Sequence, residues 1–213
     1  MFQSNAKIFQ EESEISQLLA EIGLSKEMVI AVARAAAAAK AETLPIDPVS
    51  APGWNSYQHG IRQIRMELLS KKDWRISRIG NVESTVNDSL GIQLCFQNVD
   101  SACNPHRIPH AISGKGTAAR KLVSDGQGEL FEKPTKSKSD KFGCTPVVWV
   151  ICVEITDTTL KAEVSCPTSF QGSQFEDFHQ RIFILDECFY DPETPVEVNS
   201  MNLDELDVPI SKK

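Results

Sequence analysis

The chain reads as an α+β protein: a mixed or antiparallel sheet packed by helices, with a helical hairpin in its N-terminal part. Three observations carry this reading. Residues 147–153 (Val-Val-Trp-Val-Ile-Cys-Val) form a continuous β-branched run, the pattern of a central strand buried on both faces. Beyond the turn Asp157-Thr158-Thr159, Leu160, Ala162, Val164 and Cys166 alternate with Lys161, Glu163 and Ser165, which predicts an antiparallel hairpin with one wet face. Towards the N-terminal end the apolar residues recur at helical spacing instead.

Taken in order, Ile15, Leu18, Leu19 and Ile22 place a helix over 12–22, stopped by Gly23. Ser25 caps a second, alanine-rich helix that runs to about residue 43, ahead of Pro45. Together they make 1–45 a helical hairpin. The turn Gly23-Leu24-Ser25 superficially matches a helix-turn-helix, but the second helix offers five successive alanines where base edges require polar side chains. Packing is therefore the favoured role. Prolines 45, 48 and 52 mark 44–53 as a linker. A third helix over 56–69 turns Tyr57, Ile61, Ile64 and Leu68 inward and leaves Arg62 and Arg65 on the solvent side. Strands follow at 74–79, 82–86 and 91–96, then a helix from Thr117 to about residue 123, a polar loop over 124–142, and a last strand at 181–185. Residues 46–189 thus form the α+β core, and 190–213 an acidic tail.

At 213 residues the chain suits one domain with appendages. A net charge of -7 argues against nucleic-acid binding through overall charge, though a local basic groove remains compatible with it. No apolar run approaches the roughly 20 residues that span a bilayer, so no membrane partner is expected. The opening residues carry no secretory signal, and the six cysteines include no Cys-x-x-Cys pair. Reduced thiols and a cytoplasmic location are the expectation.

The segment 103–123 gathers His106, Arg107, His110, Lys115, Arg120 and Lys121 without one acidic residue. Within it, Ser113, Gly114, Lys115, Gly116 and Thr117 form a glycine turn directly before a helix, an arrangement able to aim backbone amides at an anion. Thr117 is expected to cap that helix, with Lys115 and Arg120 adding charge. The full spacing of a nucleoside-triphosphatase loop is missing. Cys103, His106 and His110 supply three ligands of suitable type for zinc where a structural site takes four. Glu154 and Glu163, on one hairpin with Asp157 and Lys161, are the carboxylates available for metal-dependent phosphodiester chemistry; the bland alternative pairs Glu154 with Lys161 across the strands.

Several ordered pieces carry a likeness to known sequences: Ile22-Gly23-Leu24-Ser25, Ser50-Ala51-Pro52-Gly53-Trp54, Ile61-Arg62-Gln63-Ile64-Arg65, Trp74, Ser113 to Ala118, Leu130-Phe131, Trp149, Ala162 to Pro167 and Arg181-Ile182. Together they resemble a family of uncharacterised bacterial proteins often carried on mobile elements. The resemblance implies one co-folding unit and a setting in phage–host conflict, and it names no reaction and no cofactor. The family pattern lacks Cys and His residues in the loop ahead of Ser113, which weighs against a shared metal site.

The expected function is a non-enzymatic binding or regulatory protein that engages nucleic acid or a nucleotide phosphate through Arg62, Arg65, His106, Arg107, Lys115 and Arg120. The alternatives are a metal-dependent nuclease or phosphoesterase, and a structural subunit that works through a protein partner or as a homo-oligomer.

Overall fold

The computed structural model describes residues 6–114, 116–131 and 146–189. Its elements run β1 (Lys7–Phe9), α1 (Glu12–Glu21), α2 (Lys26–Ala41), α3 (Ala51–Leu68), β2 (Trp74–Ser77), β3 (Ser84–Asn87), β4 (Ile92–Asn98), α4 (Thr117–Phe131), β5 (Val147–Ile155), β6 (Thr159–Gln171) and β7 (Gln174–Cys188). The strands form one sheet in the order β1-β7-β6-β5-β4-β3-β2. It is mixed: β4 runs parallel to β5 and β1 parallel to β7, while the remaining pairs are antiparallel. The α+β expectation holds, and the continuous apolar run is the central strand β5.

Local chemistry sets the helix ends. Gly23, at φ +75°, closes α1 in a Schellman arrangement: its N–H reaches Ala20 C=O at 3.0 Å, and the Leu24 N–H reaches Leu19 C=O at 2.8 Å. The Ser25 hydroxyl then accepts the Met28 N–H and starts α2. The two helices exist as expected, but α2 packs chiefly on α3 rather than folding back along α1. Its alanines explain this preference. Ala33 and Ala36 are wholly buried, and such small side chains let two helix backbones approach closely.

Helices α1 to α3 cover one face of the sheet, where Val29, Val32 and Ile64 meet Ile151, Val153, Val164 and Ile182. Full burial of each such aliphatic side chain is worth about 1.5–3 kcal/mol. The other face is covered by the loop after β4 and by α4, which bury Val150, Cys152, Phe175 and Phe178 under Val99, Ala102, Ala111 and Val123. Among the described residues no helix is long and apolar enough to cross a membrane.

Several boundaries differ from the sequence reading. Helix α3 begins at Ala51, inside the expected linker, because Pro52 sits in the first turn, where its missing N–H costs no hydrogen bond. Helix α4 runs on to Phe131 through the first part of the expected polar loop; residues 132–142 of that loop lie outside the described residues. Strands β6 and β7 extend to 13 and 15 residues and turn at Gly172 (φ +62°). Phe170, Phe175 and Phe178 support the extension, with ring centroids 5.0 and 5.2 Å apart.

One glycine fixes how closely α3 approaches the sheet. A methyl group at Gly60 would fall 2.5 Å from a ring carbon of Phe96 on β4. Gly60→Ala would gain up to about 1 kcal/mol in helix propensity, but overpacking a core costs about 1–3 kcal/mol. The clash should win, giving a lower urea midpoint than wild type. An unchanged or higher midpoint would contradict this packing.

Candidate functional site

Because residues three and four apart share one flank of a helix, α3 presents Trp54, Tyr57, Gln58, Ile61, Arg62, Arg65, Met66 and Leu69 as a continuous strip. With Glu83, just ahead of β3, they line a groove of about 550 Å³, a volume within the range of ligand sites. The groove persists because β3 pairs only with Ile92 to Leu94 and stops short of the rest of β4. Trp54 is 57% exposed and stacks on Tyr57 with centroids 6.1 Å apart and planes 25° apart. Tyr57 leans in turn on Phe96 at 6.2 Å. Burial raises the Tyr57 phenol above its ordinary pKa, so it remains a neutral donor at physiological pH.

The groove carries excess positive charge. Glu83 receives both Arg65 and, at 3.3 Å, Arg78. The Arg65 hydrogen bond is the main reason its carboxyl lies below the ordinary glutamate value. Two guanidinium groups on one carboxylate leave one charge uncompensated. Arg62, exposed and without an ion pair among the described residues, adds a second. Arg65 also keeps a buried Nε with no acceptor among the described residues. Helix α4 borders this region: Ala119 shares a small cleft with Glu83 and Tyr57, and Ala118 lies against Gly80.

The candidate residues read from the sequence divide into three places. Arg62 and Arg65 belong to the groove. Lys115 lies outside the described residues. Around it Ser113, Gly114, Gly116 and Thr117 are exposed at the start of α4, where Gly116 rather than Thr117 holds the cap position: its carbonyl accepts the Arg120 N–H at 3.3 Å. The Thr117 hydroxyl is taken by the Arg120 guanidinium at 3.2 Å. His106 and Arg107 sit in the loop over the opposite face, where Arg107 pairs with Asp100 at 2.6 Å. The five described basic candidates therefore do not converge on one surface.

The proposed zinc ligands do not converge either. Among the described residues no three His, Cys, Asp or Glu side chains lie close enough to hold a metal ion. Cys103 takes a left-handed backbone (φ +54°) and turns inward, its thiol donating to the carbonyls of Ala162 and Leu185 at 3.2 Å each. His110 instead faces Asp100 at 3.5 Å, and His106 is exposed.

The hairpin carboxylates have structural duties. Glu163 is fully buried and binds Arg181 through two hydrogen bonds, 2.9 Å to Nε and 2.7 Å to Nη2. It also accepts the Cys103 N–H and the Ser165 hydroxyl, both at 2.7 Å. Glu154 accepts the Ala102 N–H at 2.7 Å. Lys161 stands opposite Glu154 in register but forms its ion pair with Asp186 at 2.9 Å, so the simple cross-strand pair is replaced. Neither Glu154 nor Glu163 is free to bind a catalytic ion without dismantling the loop it holds.

Sequence reading found the two arginines of the groove and missed Trp54, Met66 and Leu69. The available signal was the spacing 54-57-61-65-69, hidden by starting the third helix at residue 56, beyond Trp54. Family models, curated proteins and solved structures were compared with the chain, and none matches.

Burial first, and the charge of Glu163 second, push the Cys103 thiol up to about 12. The unfolded thiol would ionise near 9.0, so Cys103 favours the fold fully below that pH, and this contribution is lost as pH rises towards 12. Native protein treated with iodoacetamide at pH 8 should be alkylated at exposed Cys188 and spared at Cys103, as read by peptide mass mapping. Equal labelling of the two would show that the loop does not seal Cys103.

Proposed function

We propose that this chain is a non-enzymatic binding protein that holds a phosphate-bearing ligand, foremost unpaired nucleic acid, in the α3 groove. The observation that carries the reading is the exposed Trp54, stacked on Tyr57, in one groove with Arg62, which has no ion pair among the described residues. Aromatic faces accept any base, and arginine binds phosphate through its fork of N–H donors. Net acidity of the whole chain restricts such binding to the groove and makes it salt-sensitive. A binding role in a bacterial or mobile-element system, including phage–host conflict, is compatible with this chemistry.

The nuclease alternative is weaker, because Glu163 is already paired with Arg181 and Glu154 is engaged by the Ala102 amide. The structural-subunit alternative gains no specific observation.

Trp74 and Trp149 are buried, so fluorescence changes on adding ligand would report chiefly on Trp54. Titration with a short oligothymidylate should quench that emission, with affinity falling as salt rises. Trp54→Ala should weaken binding by about 1–3 kcal/mol, the worth of one stacked base. Arg62→Ala should weaken it and lower the salt slope by about one phosphate contact. If both variants bind as wild type does, the groove is not the site.

A further inference from the structure

We propose that the α3 groove is also the docking site of this chain's own acidic segment 202–210, Asn-Leu-Asp-Glu-Leu-Asp-Val-Pro-Ile, which lies outside the described residues. The inference goes beyond the ligand reading, since the contact requires no nucleic acid.

Charge complementarity is the first support. Asp204, Glu205 and Asp207 form the densest acidic cluster beyond β7, and the groove offers Arg62 and Arg65 against the single carboxylate Glu83, which Arg78 also engages from outside the lining. The apolar parts also match. Leu203, Leu206 and Ile210 alternate with those acids, while Trp54 and Met66 expose more than half of their surface on the groove. An anionic segment studded with leucines suits a groove that combines arginines with uncovered apolar side chains.

Position is the second support. Strand β7 ends at Cys188, opposite Thr159 of β6, and the Phe189 N–H bonds Thr158 C=O. At that same end of the sheet lie Ile155 of β5 and Asn98 of β4. Asn98 is hydrogen-bonded to Gly53 and Ser56, so the first turn of α3, with Trp54, stands there too. The chain thus leaves β7 at the edge where the groove begins. From β7 to β4 is three strand spacings, about 15 Å, whereas the residues between Phe189 and Asp204 can reach about 45 Å. The length suffices for docking within one molecule, where tethering raises the effective concentration of the segment.

A docked acidic segment would occupy the cations that a phosphate-bearing ligand needs.

The experiment uses the full chain and acrylamide, a neutral quencher, so that quenching reads the exposure of Trp54; Trp54→Phe should abolish the accessible component. Asp204→Asn, Glu205→Gln and Asp207→Asn combined should raise the quenching constant about twofold, and Arg62→Glu should do the same. Arg62→Glu combined with Asp204→Lys, Glu205→Lys and Asp207→Lys should restore the wild-type value, an outcome that general unfolding cannot produce. Equal quenching of wild type and the neutralised variant overturns the proposal, as does protection that grows with protein concentration, which would assign the segment to a second copy. If the neutralised variant is more quenched yet neither protein binds oligothymidylate, docking stands and the ligand reading fails. If both bind the oligonucleotide equally and quench equally, the ligand reading stands and docking fails.

Discussion

The buried ion pair between Arg181 on β7 and Glu163 on β6 is the constraint on which one whole side of the molecule depends. Neither side chain reaches solvent, so each needs every one of its hydrogen bonds met from within. The two strands meet part of that need by pairing the residues with each other. The loop after β4 meets the rest: Arg181 Nη1 donates to the carbonyls of Asn104 and Arg107 at 2.9 and 3.1 Å, and Glu163 takes the Cys103 amide. Breaking such a pair strands a buried charge at a cost of about 3–5 kcal/mol, a large share of the 5–15 kcal/mol that holds a typical domain together. The pair therefore acts as a register mark. Only one placement of the loop satisfies both ions, and that placement holds Cys103 in its left-handed conformation and Ala102 over Glu154.

The opposite side works by different physics. Ions tie α2 and α3 down only at their margins, Arg34 to Glu187 of β7 and Lys40 to the Ile155 carbonyl among them; apolar contact and the absence of side chains at Gly60, and nearly so at Ala33 and Ala36, set their depth. Close seating of α3 brings Tyr57 onto Phe96 and leaves its outer flank unpartnered where β3 stops short. The groove is thus a by-product of two lengths that do not match, a long helix over a short strand. Its cations are held in place by Glu83, which orients Arg65 and Arg78 without neutralising both.

Elements with strong periodicity were legible in the sequence. The β5 run, the alternation in β6 and the stripes of α1 to α3 each report their own burial, and burial is what periodicity encodes. The three-residue strand β1 was not legible, since so short a segment has no period and gains its place from β7. The site was half legible for a related reason. Basic residues are visible in a sequence, but their partners are not. Arg107 is spoken for by Asp100, and Arg120 by Thr117, through contacts that only the fold creates. Glu163 is the sharpest case: its alternation with Val164 predicted a residue on the wet face, whereas the loop buries that face and β7 supplies Arg181 as counter-ion.

Strand β1 also bears on how the chain is made. Lys7, Ile8 and Phe9 lie parallel to Gln180, Arg181 and Ile182, so an early-synthesised strand waits for nearly the last. At ordinary synthesis rates of roughly 5–20 residues per second, that wait is on the order of ten seconds. During it Phe9, destined for the core, has no finished sheet to join. The nascent chain therefore carries an apolar strand whose pairing partner does not exist until β7 has been made.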